Sequence, residues 1–206
     1  MQFANYNAFR TGVIRMLLGD NDEESADIDT IDLIIGLGES RVYRDLRSSA
    51  MEVPFTSVTV TSNLAPIPSD MIEASLVYFT GKKPAEYIPE VYALELINSG
   101  ATLGYEQYFF QQGENLSFWP TVANATTVQG RYFKRFADLK TGGLNAVFTR
   151  YPEIFLFAAL AESAPFYGEN ENLPIWENKT AALIASANKN ERWRSASAGG
   201  LRIRTR

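Results

Sequence analysis

The chemistry that this sequence leaves open would use carboxylates alone, lysine, or serine and threonine. Seven carboxylates lie within residues 20–32 with no base among them. A calcium-binding loop that began at Asp20 would need Gly at its sixth position and Glu at its twelfth. This sequence has Ser25 and Ile31 there, so no metal site is predicted. We interpret the run as a solvated loop that leads into a helix, with Asp27 as the N-cap.

Catalysis by carboxylates alone requires acids that converge on one cleft. Glu39 and Glu153 fall in predicted helices among ordinary neighbours. Glu162 follows a wholly apolar stretch, and we expect it to be a buried or interfacial acid paired with an arginine. A carboxylate-dependent hydrolase that uses Glu162 or Asp22 remains the less favoured alternative.

The sequence has no histidine and no cysteine. These absences exclude disulfides, thiolate nucleophiles, Ser-His-Asp triads and Cys/His zinc sites. Gly36-Leu-Gly38 and Gly81-Lys-Lys do not have the spacing of phosphate-binding loops. We therefore predict no catalytic residue and no cofactor.

The C-terminal segment, residues 192–206, is strongly basic, with five arginines and no acid. The arginines are Arg192, Arg194, Arg202, Arg204 and Arg206, and Leu201 and Ile203 alternate with the last three. Removing these five positive charges from the net charge of −5 leaves −10 on the rest of the chain. An acidic body with a short basic tail is not typical of a general nucleic-acid binder. It indicates a docking arm.

Hydrophobic periodicity predicts helices at both ends of the chain. Their predicted ranges are 4–18, 28–46, a helix that opens at Pro152 and is ended or kinked by Pro165, and a last helix from Asn172 to about Trp193. Gly36 and Gly38 lie inside the second helix, where each costs about 1 kcal/mol relative to Ala. We expect a neighbouring backbone to pack closely against them.

The middle of the chain is predicted to be β-rich. The predicted features are a bulge near Thr56-Ser57, a buried strand over 72–79, a short helix from Pro89 to Ile97, a hairpin of 105–110 with 116–119, and a half-buried strand from Val128 to Phe136. The hairpin is rich in aromatic residues. They could form a β core or an assembly surface, and both interpretations remain open.

The predicted fold class is α+β: a helical bundle built from the N- and C-terminal segments, a central β-rich insert and an extended C-terminal arm. The prediction is a single domain over 1–194, followed by a flexible arm over 195–206. Within the domain, the helical core comprises 1–48 and 144–194, and the β-rich insert comprises about 50–138. Hydrophobic residues make up 46% of the chain, which is enough for a core. The longest apolar run, 154–161, is too short to span a membrane, and no signal peptide is predicted.

Three stretches carry a resemblance to a known family. They are Glu39-Ser-Arg-Val-Tyr-Arg-Asp-Leu-Arg47, Pro66-Ile-Pro-Ser-Asp-Met71, and Phe155-Leu-Phe-Ala-Ala-Leu-Ala-Glu-Ser-Ala-Pro-Phe-Tyr167 followed by Trp176. In this order, and ending in a basic tail, they resemble phage head-to-tail adaptor (head-completion) proteins of the podovirus type.

The resemblance implies a structural protein of the virion, made in the host cytoplasm and located at the head-tail junction. It implies a ring, twelve subunits by symmetry with the portal, whose lower face seats the tail tube or nozzle. The C-terminal arm would bind the portal: its arginines would pair with carboxylates, and Leu201 and Ile203 would be apolar anchors. DNA would pass through the channel without specific binding. A tail terminator is the second interpretation, against which the flanking helices argue.

Overall fold

A computed structural model describes residues 2–19, 26–100, 107–168 and 171–198, and for residues 56–57 and 192–198 it describes the backbone alone. The fold is α+β, as predicted. The chain divides into two compact units. The helical unit comprises Met1–Met51 and Phe136–Arg206, and the β unit comprises Glu52–Arg135.

The helical unit contains seven of the eight α-helices found in the described residues. These are α1 (Tyr6–Leu18), α2 (Ile28–Asp45), α4 (Leu139–Gly142), α5 (Ala146–Arg150), α6 (Pro152–Ala161), α7 (Ala164–Tyr167) and α8 (Leu173–Ala198), and a 3₁₀ turn over Ser49–Met51 follows α2. α6 packs against α1, α2 and α8. Because α6 is apolar on every side, it is buried along nearly its whole length and forms the centre of this unit.

A row of aromatic rings fills the core between α1, α5 and α6. The ring centroids of Phe9 and Phe148 are 4.9 Å apart, and those of Phe148 and Phe155 are 5.2 Å apart. Phe3 extends the row, with its centroid 5.2 Å from that of Phe9. The Phe3–Phe9 and Phe9–Phe148 pairs are edge-to-face, and packing of this kind adds about 0.5–1.5 kcal/mol per pair to the gain from burial.

The two glycines of α2 have different environments. A Cβ atom on Gly38 would lie 2.5 Å from the Ala159 nitrogen and 2.8 Å from the Ala158 carbonyl carbon, both backbone atoms of α6. The predicted close approach of a backbone is therefore confirmed at Gly38. It is wrong at Gly36, where no heavy atom lies within 4 Å of the Cβ position. Gly36 lies on the opposite side of α2, away from α6.

The β unit consists of two sheets and one helix. The three-stranded antiparallel sheet has the order β1 (Glu52–Thr59), β7 (Thr127–Lys134), β3 (Met71–Phe79). The four-stranded sheet has the order β2 (Leu64–Pro66), β6 (Asn115–Trp119), β5 (Tyr108–Gln112), β4 (Glu86–Tyr87), and β4 runs parallel to β5. α3 (Glu90–Asn98) packs on β5.

The pairing of β1 with β7 confirms the predicted bulge, because the register shifts between Phe55 and Val58. Gly130 in β7 leaves room for the Phe55 ring and the Leu76 carbonyl oxygen, with which any Cβ atom would collide. β5 and β6 form the predicted hairpin, and Gly113 at its turn has φ +59°, a conformation that favours glycine.

Some predicted elements differ from the structure. β3 is buried only at Val77 and Phe79, because it is an edge strand with one face toward the core. The predicted burial of both its faces is therefore wrong. The break after α6 falls at Glu162-Ser163, and Pro165 lies in the first turn of α7. α8 continues to Ala198, beyond the predicted end near Trp193. Across the described residues, no helix combines the length and the apolar character needed to cross a membrane.

Replacing each α2 glycine by alanine tests the contact between α2 and α6. We expect Gly38→Ala to lower the free energy of unfolding by about 1–3 kcal/mol, since the new methyl group must push two backbones apart. Gly36→Ala is the matched control. It should raise the free energy of unfolding by about 0.5–1 kcal/mol, because the site is open and Ala is the better helix former. Urea unfolding measures both values, and similar values would contradict the assigned contact.

Candidate assembly site at the C-terminal helix

The basic C-terminal segment begins on α8, which is held on the helical unit along one side. Trp176, Thr180, Ile184 and Ala187 are buried at helical spacing. The Thr180 hydroxyl donates to the Trp176 carbonyl oxygen at 2.8 Å, so this buried polar group is satisfied within the helix. The helix has 26 residues and is therefore about 39 Å long.

A hydrogen-bonded cluster anchors α8 at Glu191, the last residue of the helix whose side chain is described. Its Oε1 atom accepts hydrogen bonds from the Tyr151 hydroxyl at 3.1 Å and the Ser48 hydroxyl at 3.3 Å. It also lies 2.9 Å from the Arg150 guanidinium. Burial alone would raise the pKa of Glu191, but hydrogen bonds from Ser49 and Tyr151 and the charge of Arg150 hold that pKa below its usual value.

Asn188, one turn earlier, joins α8 to the C-terminal end of α2. Its Oδ1 atom accepts from the Arg47 backbone N–H at 2.7 Å, and its Nδ2 atom donates to the Asp45 carbonyl oxygen at 2.9 Å. The last carbonyl groups of a helix have no partner within the helix. The side chain of Asn188 therefore satisfies a group that would otherwise need water, and it fixes α8 to α2.

The N-terminal part of α8 is joined to α2 by Arg41. The guanidinium of Arg41 donates to both Glu177 oxygens, at 2.7 Å and 2.9 Å, and lies 3.3 Å from Glu162 Oε1. Hydrogen bonding to Arg41 lowers the pKa of Glu177. The predicted pairing of Glu162 with an arginine is confirmed. In the described structure this carboxylate serves to join helices.

All seven predicted arm residues follow these anchors in the sequence. Arg192 and Arg194 lie in α8, where only the backbone is described. Leu201, Arg202, Ile203, Arg204 and Arg206 lie outside the described residues, as does the Asp22 of the alternative hydrolase. The basic segment starts from a fixed point, because Asn188 and Glu191 tie α8 to the rest of the helical unit directly before Arg192.

The acids singled out in the sequence take structural positions. Asp27 caps α2, as predicted, by accepting from the Asp29 backbone N–H at 3.2 Å. Glu39 was expected to have ordinary neighbours, but it is buried, and its Oε2 atom accepts from the Leu139 backbone N–H at 3.1 Å. Among the residues described, no three His, Cys, Asp or Glu side chains gather where they could hold a metal ion.

Of the three acids of this run that the structure describes, Asp27, Asp29 and Asp32, the most enclosed is Asp32, whose side chain is 6% exposed. It accepts from the Tyr6 hydroxyl at 2.7 Å and lies 2.8 Å from Lys140 Nζ and 3.5 Å from Arg10. Burial favours a raised pKa, but the hydrogen bonds from Lys140 and Tyr6 and the two positive charges outweigh it, so the pKa of Asp32 is lowered. Asp32 thereby joins α1, α2 and α4.

The aromatic hairpin belongs to a core. Phe109, Phe110, Phe118 and Trp119 are all buried, so the interpretation of these residues as an assembly surface is wrong. Tyr105 lies outside the described residues. Among the described residues of the β unit, the large apolar side chains that are exposed lie instead on and beside α3, which was predicted only as a short helix. The missed signal is that α3 has apolar residues on two sides.

In this α+β protein, charged side chains join helices to one another. A model of the family described as SU10 adaptor protein matches residues 4–204. The chain belongs to the SU10 adaptor protein family. Membership implies a phage adaptor, a structural and non-enzymatic component of the virion that interacts with other virion proteins. No curated protein matches the chain.

Asn188→Ala tests the tie between α8 and α2. We expect it to lower the free energy of unfolding by about 1–3 kcal/mol, because a half-buried backbone N–H and a carbonyl group lose their partner. Asn190→Ala, on the exposed side of the same helix, is the control and should change stability by less than about 0.5 kcal/mol. Thermal unfolding of the two variants should separate them, and equal midpoints would argue against the tie.

The lowered pKa of Asp32 predicts a loss of stability in acid. A folded-state pKa below the unfolded value of about 4 adds stability above that value, and the added stability is lost as the pH falls through the folded pKa. We expect Asp32→Asn to be about 1–3 kcal/mol less stable than wild type at pH 7. The difference should shrink toward pH 3. Urea unfolding at several pH values measures it, and a constant difference would be inconsistent with this assignment.

Proposed function

We propose that this chain is the subunit of a ring that joins the portal of a podovirus-type phage to its tail and continues the DNA channel. The ring contains twelve copies, to match the symmetry of the portal. The observation that carries the proposal is the family match over residues 4–204. The fold is compatible with it, because the described charged clusters serve packing.

In this proposal the C-terminal arm binds the portal. The residues that carry this contact are Arg192, Arg194, Leu201, Arg202, Ile203, Arg204 and Arg206. The arginines pair with portal carboxylates, and the two apolar side chains act as anchors. Two observations support this: the segment has five arginines and no acid, and α8 is tied to the helical unit directly before it, at Asn188 and Glu191.

The charge of the body supports a role as a DNA conduit. Outside residues 192–206, the chain carries a net charge of −10. An acidic channel repels phosphates, so DNA passes without specific binding. The opposite face of the ring seats the tail tube or nozzle. The protein needs neither a cofactor nor a membrane for this role, which consists of oligomerising and bridging.

Truncation after Ala198 tests the arm while it retains the whole of α8. We expect the full chain mixed with its portal to elute as a ring-sized complex in size-exclusion chromatography with light scattering. The truncated chain should not form this complex. The full-length complex should weaken in about 1 M salt, where charges are screened beyond about 3 Å.

The control for this experiment is the fold of the truncated chain, whose circular dichroism and unfolding midpoint should match those of the full chain. A second variant replaces Arg202, Arg204 and Arg206 by alanine and keeps the chain length. If both variants bind the portal as the full chain does, the arm is not the portal contact. If the full chain fails to bind as well, the adaptor ring itself is excluded.

A further inference from the structure

α3 has an apolar ridge that faces solvent. Val91, Leu94 and Ile97 are 70%, 48% and 47% exposed. Their spacing of three residues places them along one side of the helix. Another side of α3 is covered, since Ala93 and Leu96 pack against the rest of the β unit. We call Val91, Leu94 and Ile97 the α3 ridge.

The surroundings of the α3 ridge define the chemistry of its partner. A helix that is apolar on two sides is typical of an interior or an interface. Tyr87 and Tyr92 beside it are exposed too, and tyrosine is enriched at protein interfaces. Residues 84–100 contain Glu86, Glu90 and Glu95, all exposed, and no Lys or Arg. The partner surface should therefore be apolar with basic side chains at its edge.

α2 presents a surface of this kind. Leu33 and Leu37 are 53% and 40% exposed and lie one turn apart. Between them Gly36 leaves a notch, since it has no side chain and no atom beyond its chain neighbours and the nearby helix backbone lies within 4 Å of its Cβ position. Arg44, two turns beyond Leu37, has a side chain that is 69% exposed and paired with the adjacent, exposed Asp45. Such a surface pair is weak and can exchange partners. We call Leu33, Gly36, Leu37 and Arg44 the α2 stripe.

Gly38 shows what a glycine of α2 allows. On that side of the helix, the absence of a side chain lets the backbone of α6 approach. Gly36 creates the same opening on the solvent side, at the cost of helix propensity that a glycine carries. A ridge of residues spaced by three fits between the side chains that flank such a notch.

We propose that the α3 ridge of one copy packs against the α2 stripe of a neighbouring copy. The exposed glutamates beside α3 then face Arg44. Because the two surfaces differ, the contact is heterologous and repeats from copy to copy, as the closing of a ring requires. The inference rests on the proposed function, for which it supplies the contact between subunits.

Because the chain has no cysteine, introduced cysteines report this contact directly. The double variant Leu37→Cys/Leu94→Cys places one thiol on each surface. It is treated with a short bismaleimide, alone at high concentration and mixed with the portal. We expect a ladder of cross-linked dimers, trimers and higher oligomers on a denaturing gel. A mixture of the two single variants should stop at dimers, and neither single variant alone should cross-link.

The matched control is Ile175→Cys/Leu94→Cys. Ile175 is exposed and apolar like Leu37 but lies outside the α2 stripe, so this pair should give no ladder. Gly36→Leu adds a test without cysteines. It fills the notch at an open site, so the chain should fold normally while assembly of the ring falls at least tenfold.

The results separate this contact from the proposed function. A ring on the portal without a ladder would overturn the contact, and the α3 ridge would then be available to a tail protein. A dimer from Leu94→Cys alone would overturn it in favour of pairing between two α3 helices. A ladder without any portal complex would keep the contact and remove the proposed function. If neither a ladder nor a ring forms, both the proposed contact and the proposed function are excluded.

Discussion

The close approach of α2 and α6 at Gly38 is the constraint on which the helical unit depends. The Gly38 Cβ position lies within 3 Å of backbone atoms of Ala158 and Ala159, so no other residue fits without separating the helices. The neighbouring contacts need the same spacing. Arg41 reaches Glu162, and the ring of Tyr43 packs edge-on against Phe155 at 6.2 Å.

The charged side chains of the helical unit extend this packing. Asp32 ties α1 and α4 to α2, Arg41 ties α8 to α2, and Glu191 ties the far part of α8 to Arg150 and Tyr151. The partners of Asp32, Glu177 and Glu191 lower the pKa of each of these carboxylates, so the three remain ionised and contribute to stability at neutral pH. Acids that were candidates for catalysis thus form ion pairs and hydrogen bonds that join helices. The family implies interaction with other virion proteins, and the described residues of α2 and α3 include exposed apolar side chains.

Much of the fold could be predicted from the sequence, but less of the candidate site. α1, α2, the bulge in β1 and the β5–β6 hairpin follow from local periodicity and turn residues, and the structure confirms them. The adaptor family was predicted from short motifs, and the family match confirms it, though not its podovirus type. The arm could be located only by its charge. The ties at Asn188 and Glu191 could not be predicted, because their partners lie 40 or more residues away or belong to the backbone.

The sequence by itself determined the alternation of helices and strands, the α+β class, the acidic body and the basic tail, because these depend on neighbours within a few residues. Only the tertiary structure decided which side of each element is covered. Gly36 and Gly38 look equivalent in the sequence, yet α6 packs against Gly38 and leaves Gly36 open. Likewise, Glu39 is buried because a distant segment packs on it, and Val91 is exposed because none of the described segments does. Burial depends on which distant segment packs against a residue, and no local pattern contains that information.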